Sequence, residues 1–430
     1  MHSIESLYSI FCTHPSISTD SRNCPKDGLF FALKGPNFDG NRYAESALHA
    51  GCRYVIVDDP SVVKDERYLL VPDVLTALQS LAKHHRRQWG KTIIGITGTN
   101  GKTTTKELMA AVLGQKQTVL YTQGNLNNHI GVPLTLLKLN EKHQLAIIEM
   151  GANHPGEIKA LCALADPDYG LITNVGKAHL EGFKTFEGVI KTKGELYEHV
   201  ANKNGHIFVN RSNPYLKTLA KKQNILAYAT EAGSDIWGEA NAESPQLIVN
   251  WYQNYNQHAG TAHTQLIGNY NLENAMAAIR VGMHFGVDNA SIKQALENYH
   301  PSNNRSQLLK TAQNTLIVDA YNANPTSMMA AIRNFSQLKS ENKVLNLGSM
   351  KELGDHSESE HKNLIQELTQ LEMPRVYLIG QEFASNNGDY PCYDSIDALI
   401  EFIQSNPIKD STILLKGSRS NQLERLIPYL

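Results

Sequence analysis

Residues 93–104 read Ile-Ile-Gly-Ile-Thr-Gly-Thr-Asn-Gly-Lys-Thr-Thr, and no other stretch limits the possible folds as tightly. An apolar run feeds a glycine-rich turn, after which Lys102 and Thr103 open a helical pattern. Strand, glycine turn and helix in that order make an α/β unit whose turn binds phosphate. Gly98 and Gly101 let backbone N–H groups point inward, with Thr99 and Asn100 between them. Lys102 puts a point charge near the β- and γ-phosphates, and Thr103, followed by Thr104, offers its hydroxyl to Mg²⁺. The common G-x-x-x-x-G-K-[ST] spacing would need glycine where Ile96 stands, so this turn is a variant of that loop. ATP is the expected ligand.

A chain of 430 residues is too long for one ordinary core and points to about three domains. Forty basic residues against 42 acidic ones leave a net charge of −2, which gives no broad field for nucleic acid or anionic membrane. Cys12, Cys24, Cys52, Cys162 and Cys392 are scattered and lack any C-x-x-C pair, so reduced thiols in a cytoplasmic protein are expected. Neither a signal segment nor a stretch of the ~18 apolar residues a membrane span needs is evident, and a monomer is the default expectation.

The apolar runs set out an α/β organisation. A small N-terminal α/β domain, residues 1–88, has strand candidates 29–33, 54–57 and 68–71. It closes with a helix from Asp73 to Trp89, where Leu75, Leu78 and Leu81 recur at helical spacing. Lys83-His-His-Arg-Arg87 reads there as solvated charge at a helix C-terminus. The central P-loop domain, residues 89–305, has strand candidates 93–97, 119–121, 145–149, 170–174 and 206–209 alternating with helices, which implies a mostly parallel sheet. Residues 228–268 are richer in β-type residues, and a helix from Asn271 to Phe285 follows. A C-terminal Rossmann-like α/β domain, residues 306–430, has strands at 316–319, 344–347, 376–379 and 412–415.

Chemistry in open α/β sheets gathers at the carboxyl ends of strands. Glu149 ends the run Leu-Ala-Ile-Ile-Glu, a position suited to holding Mg²⁺. His179 follows the 170–174 strand, and Lys191 and Lys193 lie on the next helix, spanning about 185–200. Asn125, Asn127 and Asn128 sit in a polar loop ahead of another helix; their amides can hold a phosphate group or make turn hydrogen bonds.

Gly98-Thr-Asn-Gly-Lys-Thr-Thr104 resembles the P-loop variant of the Mur ligase and folylpolyglutamate synthase superfamily, and the resemblance to the Mur ligases extends along the whole chain. Ser18-Thr-Asp-Ser-Arg22 and Phe31-Ala-Leu-Lys-Gly-Pro-Asn-Phe-Asp-Gly40 are similar to the family's uridine-nucleotide loops. This implies substrate contacts from Thr19, Asp20, Ser21, Arg22, Lys34, Gly35, Asp39 and Gly40, joined by Asn127 and Asn128. Gly268-Asn-Tyr-Asn-Leu-Glu-Asn274 is similar to an adenine-contacting G-x-H-N-x-x-N motif, with Tyr270 in place of the usual His, so Asn271 and Asn274 carry over. Arg305 stands where the family has an ATP-contacting arginine, although an exposed linker arginine would read the same. Asp319-Ala-Tyr-Asn-Ala-Asn-Pro325, Leu347-Gly-Ser-Met-Lys-Glu-Leu-Gly354 and Lys416-Gly-Ser-Arg419 complete the set, with Ser349 replacing an Asp.

The resemblance implies Asp319 and Asn322 approaching the nucleotide from the third domain, and Lys102, Glu149, His179 and Lys193 as the catalytic set. Lys193 lies 14 residues after His179, the spacing at which the family carries a carbamoylated lysine. A carbamate turns an ammonium into an anionic oxygen ligand, so Thr103, Glu149, His179 and Lys193 become the expected Mg²⁺ set. The implied activity is ATP-dependent amide synthesis. UDP-N-acetylmuramoyl-tripeptide and D-Ala-D-Ala would be its small-molecule substrates, with the incoming dipeptide on the C-terminal domain. A diamino-acid-adding relative would carry Asp-Asn-Pro-Arg, which is absent here. Folylpolyglutamate synthase would leave the uridine-type first domain without a role. A GTPase would need Asn-Lys-x-Asp, and neither Asn202-Lys203 nor Asn342-Lys343 has the Asp. A non-catalytic relative would have no use for Lys102, Glu149, His179 and Lys193 together.

Overall fold

The computed structural model describes residues 2–220, 224–241, 246–301, 304–385 and 387–430. By internal contacts the chain forms two compact units. One takes residues up to 96 with 117–152 and 156–170; the other takes 97–116, 153–155 and 171–430.

In the first unit, four parallel strands lie in the order Ile17–Ser18, Leu29–Phe31, Tyr54–Val57 and Tyr68–Leu70. Phe30, Ala44, Ala47, Val55 and Val57 form the core on one of its faces. The helix Val74–Trp89 starts where the Asp73 carboxylate accepts the Thr76 N–H at 2.7 Å, and stops at left-handed Gly90. Leu78 and Leu81 are fully buried on it, as their spacing predicts. Arg86 departs from the sequence expectation. Its side chain turns inward at 6% exposure; Nε donates to the Ala165 carbonyl at 2.9 Å and Nη2 meets Asp168 at 3.1 Å. The basic run is therefore only partly a solvated cap.

Also in this unit, Val119–Tyr121, Leu145–Glu149 and Thr92–Thr97 are parallel neighbours. The Asp168 N–H donates to Ile93 O at 2.9 Å, which sets the start of Tyr169–Ile172 beside them. Every residue of Leu145–Glu149 is buried, the pattern of a strand covered on both faces.

The second unit carries the P-loop helix Lys102–Leu113 against the helix Leu272–His284. They approach so closely at Gly282 that a Cβ there would lie 2.4 Å from Val112. That second helix, expected over Asn271–Phe285, is preceded by a 3₁₀ turn at Asn269–Asn271 and capped by Asn271. The β-rich region resolves into an antiparallel sheet of Trp237–Asn241, Gln246–Gln253 and Gln257–Ile267, with Trp251 fully buried.

Towards the C-terminus a six-stranded sheet runs in the order Gln307–Lys310, Asn314–Asp319, Ser411–Lys416, Lys343–Gly348, Val376–Ile379 and Cys392–Tyr393. All neighbours are parallel except the first pair. Helices cover both faces: Met328, Ile332 and Leu364 pack on one, Leu399, Ile403 and Leu426 on the other. The Asn324 side chain starts the helix Pro325–Gln337 through a reciprocal capping box with Ser327. Fold class and sheet polarity thus match the sequence expectation.

Candidate functional site

The loop after Thr92–Thr97 is shaped by backbone conformations that only glycine accepts readily. Gly98 has φ +144° and Gly101 φ +76°. A Cβ on Gly98 would lie 2.0 Å from the Thr173 hydroxyl, and one on Gly101 would lie 2.3 Å from the Asn274 amide oxygen. Gly101 supplies no side-chain cap to the helix it opens, which leaves that N-terminus and its dipole directed at the loop.

Thr173 and Asn174, expected inside a strand, stand just past the end of Tyr169–Ile172. The difference has a physical reason: both side chains turn to grip the P-loop. Thr173 Oγ1 donates to Asn100 O at 2.6 Å, and Asn174 Oδ1 accepts the Asn100 N–H at 2.9 Å. Thr99 Oγ1 accepts the Gly176 N–H at 3.0 Å, and the Thr99 N–H donates to Asn174 O. Lys102 folds back along the loop, its Nζ donating to Gly98 O at 2.8 Å and to Thr99 O at 3.1 Å. Thr103 and Thr104 are buried in the first turn of the helix.

Asn271 and Asn274 are buried, and their amides are committed internally. Thr105 Oγ1 donates to Asn274 Oδ1 at 2.9 Å, Asn274 Nδ2 to Asn271 Oδ1 at 2.8 Å, and Asn271 Nδ2 to Ile267 O at 2.8 Å. Tyr270, in the place of the motif's histidine, bonds Ser306 at 3.2 Å. Glu273, between the two asparagines, faces Asn174 at 3.5 Å and Asn210 at 3.3 Å. Burial raises its carboxyl pKa, and the Asn174 amide offsets part of the rise.

On the strand-end carboxylate, Asn127 Nδ2 donates to Glu149 Oε1 at 2.8 Å, and Thr122 Oγ1 accepts the Glu149 N–H. Glu149 is 1% exposed. Asn127, expected at a substrate, therefore orients Glu149. Asn128 caps the next turn by accepting the N–H groups of Ile130 and Gly131. Asn125 has an exposed place in the same loop.

His179 and Lys193 come together across one aromatic ring. His179 stands edge-on to Phe183 with centroids 6.4 Å apart, and Lys193 Nζ lies 5.6 Å from the same ring. Lys193 is 2% exposed, whereas Lys191 is exposed. His179 Nδ1 meets Glu352 at 2.6 Å, and this bond lowers the Glu352 carboxyl pKa.

From the third domain, Asn324 Nδ2 donates to Asn100 Oδ1 at 2.7 Å, so the Tyr-Asn-Ala-Asn-Pro segment touches the P-loop itself. Asp319 is held by buried Lys416 at 2.5 Å, and Asn322 is exposed, its amide oxygen accepting the Ala323 N–H. The Arg305 guanidinium stacks 3.6 Å from the centroid of the Tyr321 ring, which is more than an exposed linker arginine would show.

In the N-terminal segment, Ser18, Thr19 and Asp20 line a cavity of about 1040 Å³ with Phe11, His85 and Leu126. Arg22 grips both Asp20 oxygens and pulls that carboxyl down to about 2. Ser21 is half-buried behind it. Lys34, Gly35, Asp39 and Gly40 belong to the hairpin Lys34–Gly35/Phe38–Asp39 and its exit. Lys34 pairs with Asp58 at 2.8 Å, and buried Asn41 bridges Asp39 and Asp58. Gly40 sits so tightly that a Cβ would lie 2.5 Å from Leu33 O. Sequence reading missed Asn41, Asp58, Asn174, Asn324 and Glu352; the last three lie in segments named beforehand, but not for these side chains.

Among the described residues, no three His, Cys, Asp or Glu side chains gather closely enough to hold a metal ion. A hard cation that keeps water and phosphate oxygens as most of its ligands does not require such a cage.

The sequence matches the Mur ligase middle domain over residues 96–282, the Mur ligase glutamate ligase domain over 304–419 and the Mur ligase family catalytic domain over 15–86. The UDP-N-acetylmuramoyl-tripeptide–D-alanyl-D-alanine ligase of Bacillus subtilis is 34% identical, aligned over 96% of this chain and 92% of its own length. MurF from Acinetobacter baumannii superposes with a TM-score of 0.85 at 31% identity, covering 96% of this chain and 92% of that one. MurF ligase from Thermotoga maritima, solved in complex with ADP, also gives 0.85 at 27% identity, covering 96% of each chain. Relatives of this identity and coverage, in all three segments and in one order, leave a single assignment: the chain belongs to the Mur ligase family.

Proposed function

We propose that this chain is an ATP-dependent amide ligase that joins D-alanyl-D-alanine to UDP-N-acetylmuramoyl-tripeptide in peptidoglycan precursor synthesis. The observation that carries the reading is the P-loop cradle, with Lys102 parked on the carbonyls of Gly98 and Thr99. It is supported by the relatives that bear this activity in their names.

The tripeptide carboxylate attacks the γ-phosphorus of ATP, and ADP departs, leaving an acyl phosphate. The dipeptide amine then attacks the acyl carbon, and phosphate leaves. Neither step needs a protein nucleophile, so positioning and charge neutralisation carry the rate. Lys102 moves from its carbonyls to the phosphate oxygens. The P-loop N–H groups hold the phosphates, while Asn174 and Thr173 fix the loop that presents them. Thr103, Glu149, His179 and a carbamoylated Lys193 would hold Mg²⁺, whose charge would offset that gathering on the phosphate oxygens. Asn127 keeps Glu149 aimed. Residues 1–88 would take the uridine nucleotide, 89–305 ATP, and 306–430 the dipeptide and part of the nucleotide.

Among the described residues no helix is long and apolar enough to cross a membrane. A monomeric cytoplasmic enzyme without nucleic-acid partners is the reading we adopt.

The test is phosphate release with ATP, Mg²⁺ and UDP-N-acetylmuramoyl-tripeptide, with and without D-Ala-D-Ala. Turnover that requires both substrates and disappears in folded Lys102→Ala supports the reading. Turnover without the dipeptide, or an active Lys102→Ala, refutes it.

A further inference from the structure

Two residues in rare backbone conformations meet at one close ion-pair contact. His179 has φ +51° and Glu352 φ +63°, the left-handed region that residues other than Gly and Asn seldom occupy. His179 Nδ1 lies 2.6 Å from Glu352 Oε2, and the Glu181 N–H donates to Glu352 O at 3.4 Å. Gly354 packs on Glu181, where a Cβ would stand 3.4 Å from its Cα.

The loop that delivers Glu352 is anchored residue by residue to its own domain. The Ser349 N–H donates to Ile379 O at 2.8 Å, Met350 N–H to His361 Nε2 at 3.0 Å, and Lys351 N–H to Ser418 Oγ at 3.1 Å. Lys351 also pairs with Glu382. The carboxylate is thus presented by a fixed support.

Magnitude decides what such a contact is for. The Glu352 side chain is 51% exposed, and a pair that open to water adds little stability. It does fix a proton. With Nδ1 facing a carboxylate, that nitrogen keeps its hydrogen, and Nε2 retains the lone pair needed to bind a cation or accept a proton.

We infer that Glu352 is a positioning residue for His179. It locks the Nδ1–H tautomer, so that a competent His179 depends on the 349–354 loop being seated. The inference rests on the reading of His179 as a cation-facing residue given above. It adds a specific dependence of that residue on the third domain.

The test uses the full chain labelled with ¹⁵N-histidine, without substrates, at about pH 8.5, above the ordinary imidazole range. The His179 signals are assigned by their loss in His179→Gln. Wild type should show Nδ1–H with unprotonated Nε2. Glu352→Ala should move towards the Nε2–H form that predominates in free imidazole side chains. Glu352→Gln, whose amide oxygen still accepts from Nδ1, should keep the wild-type pattern. In turnover assays, Glu352→Ala should raise half-saturation for Mg²⁺ by about tenfold or more, while Glu352→Gln stays near wild type. An unchanged tautomer in Glu352→Ala overturns the inference, and so does a changed tautomer with unchanged Mg²⁺ dependence. A wild-type protein inactive on both substrates while showing the Nδ1–H pattern would instead refute the ligase reading.

Discussion

Replacing Asn274 with alanine cuts a buried chain that runs from Thr105 on the P-loop helix through Asn271 to Ile267 O. Thr105 is fully buried and Asn271 is 2% exposed, so water cannot replace the lost amide at either end. Each buried group left without its partner costs about 1–3 kcal/mol, and two are stranded here, the Thr105 hydroxyl and the Asn271 amide oxygen. A total of about 3 kcal/mol would lower the melting temperature by about 6–12 °C for a domain of this size. Asn274→Asp should fare no better. Its carboxylate can still accept from Thr105 but has no hydrogen to offer Asn271, and a buried charge is added. The assay is a thermal melt without ligand, set beside KM for ATP. A melting temperature within about 2 °C of wild type, with a raised KM, would refute the bracing role and leave Asn274 as a direct nucleotide contact.

Lys193→Ala should lose most activity and regain part of it with formate or acetate, which restore a carboxylate oxygen; Lys191→Ala, on the exposed face, should change little. Full activity of Lys193→Ala would exclude a carbamate role. His361 is buried with Nδ1 against Ser357 O at 2.7 Å and Nε2 accepting from Met350, so protonation would break the second bond. Burial lowers its pKa first; the Ser357 carbonyl, Glu382 and Glu360 pull the other way, and Lys351 adds to the drop. The unfolded chain then binds more protons, so the stability His361 contributes is present above its unfolded pKa and is lost as pH falls below it. Melts from pH 7.5 to 5.5 should show that loss, and His361→Gln should flatten it; an unaltered slope would dismiss the residue. Arg86→Ala removes a buried guanidinium from two carbonyls and from Asp168, whose carboxylate is partly exposed and keeps the Ile93 N–H, for a cost of about 1–3 kcal/mol. Urea midpoints measure it, and a shift no larger than that of Arg87→Ala would contradict the buried role.

The P-loop and the strand alternation were legible because each is a local signal, in which spacing along the chain fixes which face a side chain takes; the His179–Lys193 pairing came only from the family resemblance. Arg86 was misjudged because a basic run at a helix end looks the same whether one of its members turns inward or stays in water. Asn271 and Asn274 were found by their motif, but nothing local shows that their amides bond each other. Asn100 and Asn324 are 224 residues apart, and Glu352 reaches His179 over a similarly long separation. Such contacts arise only when strand order brings loops together, and single-sequence periodicity carries no information about them.

The central strand of the C-terminal sheet also bears on how the chain is made. Ser411–Lys416 is the last of that sheet's strands to be synthesised, yet it lies between Asn314–Asp319 and Lys343–Gly348. Asp319 and its buried partner Lys416 are 97 residues apart. At elongation rates of ~5–20 residues per second, the edge of Asn314–Asp319 awaiting that insertion stays open for roughly 5–20 s. Over that interval the strands carrying Leu316 and Val318, and Leu345 and Leu347, all buried in the finished protein, each lack one of their two neighbours. A nascent chain stalled there exposes two open apolar strand edges, the kind of surface that chaperones retain and that aggregates when they are scarce.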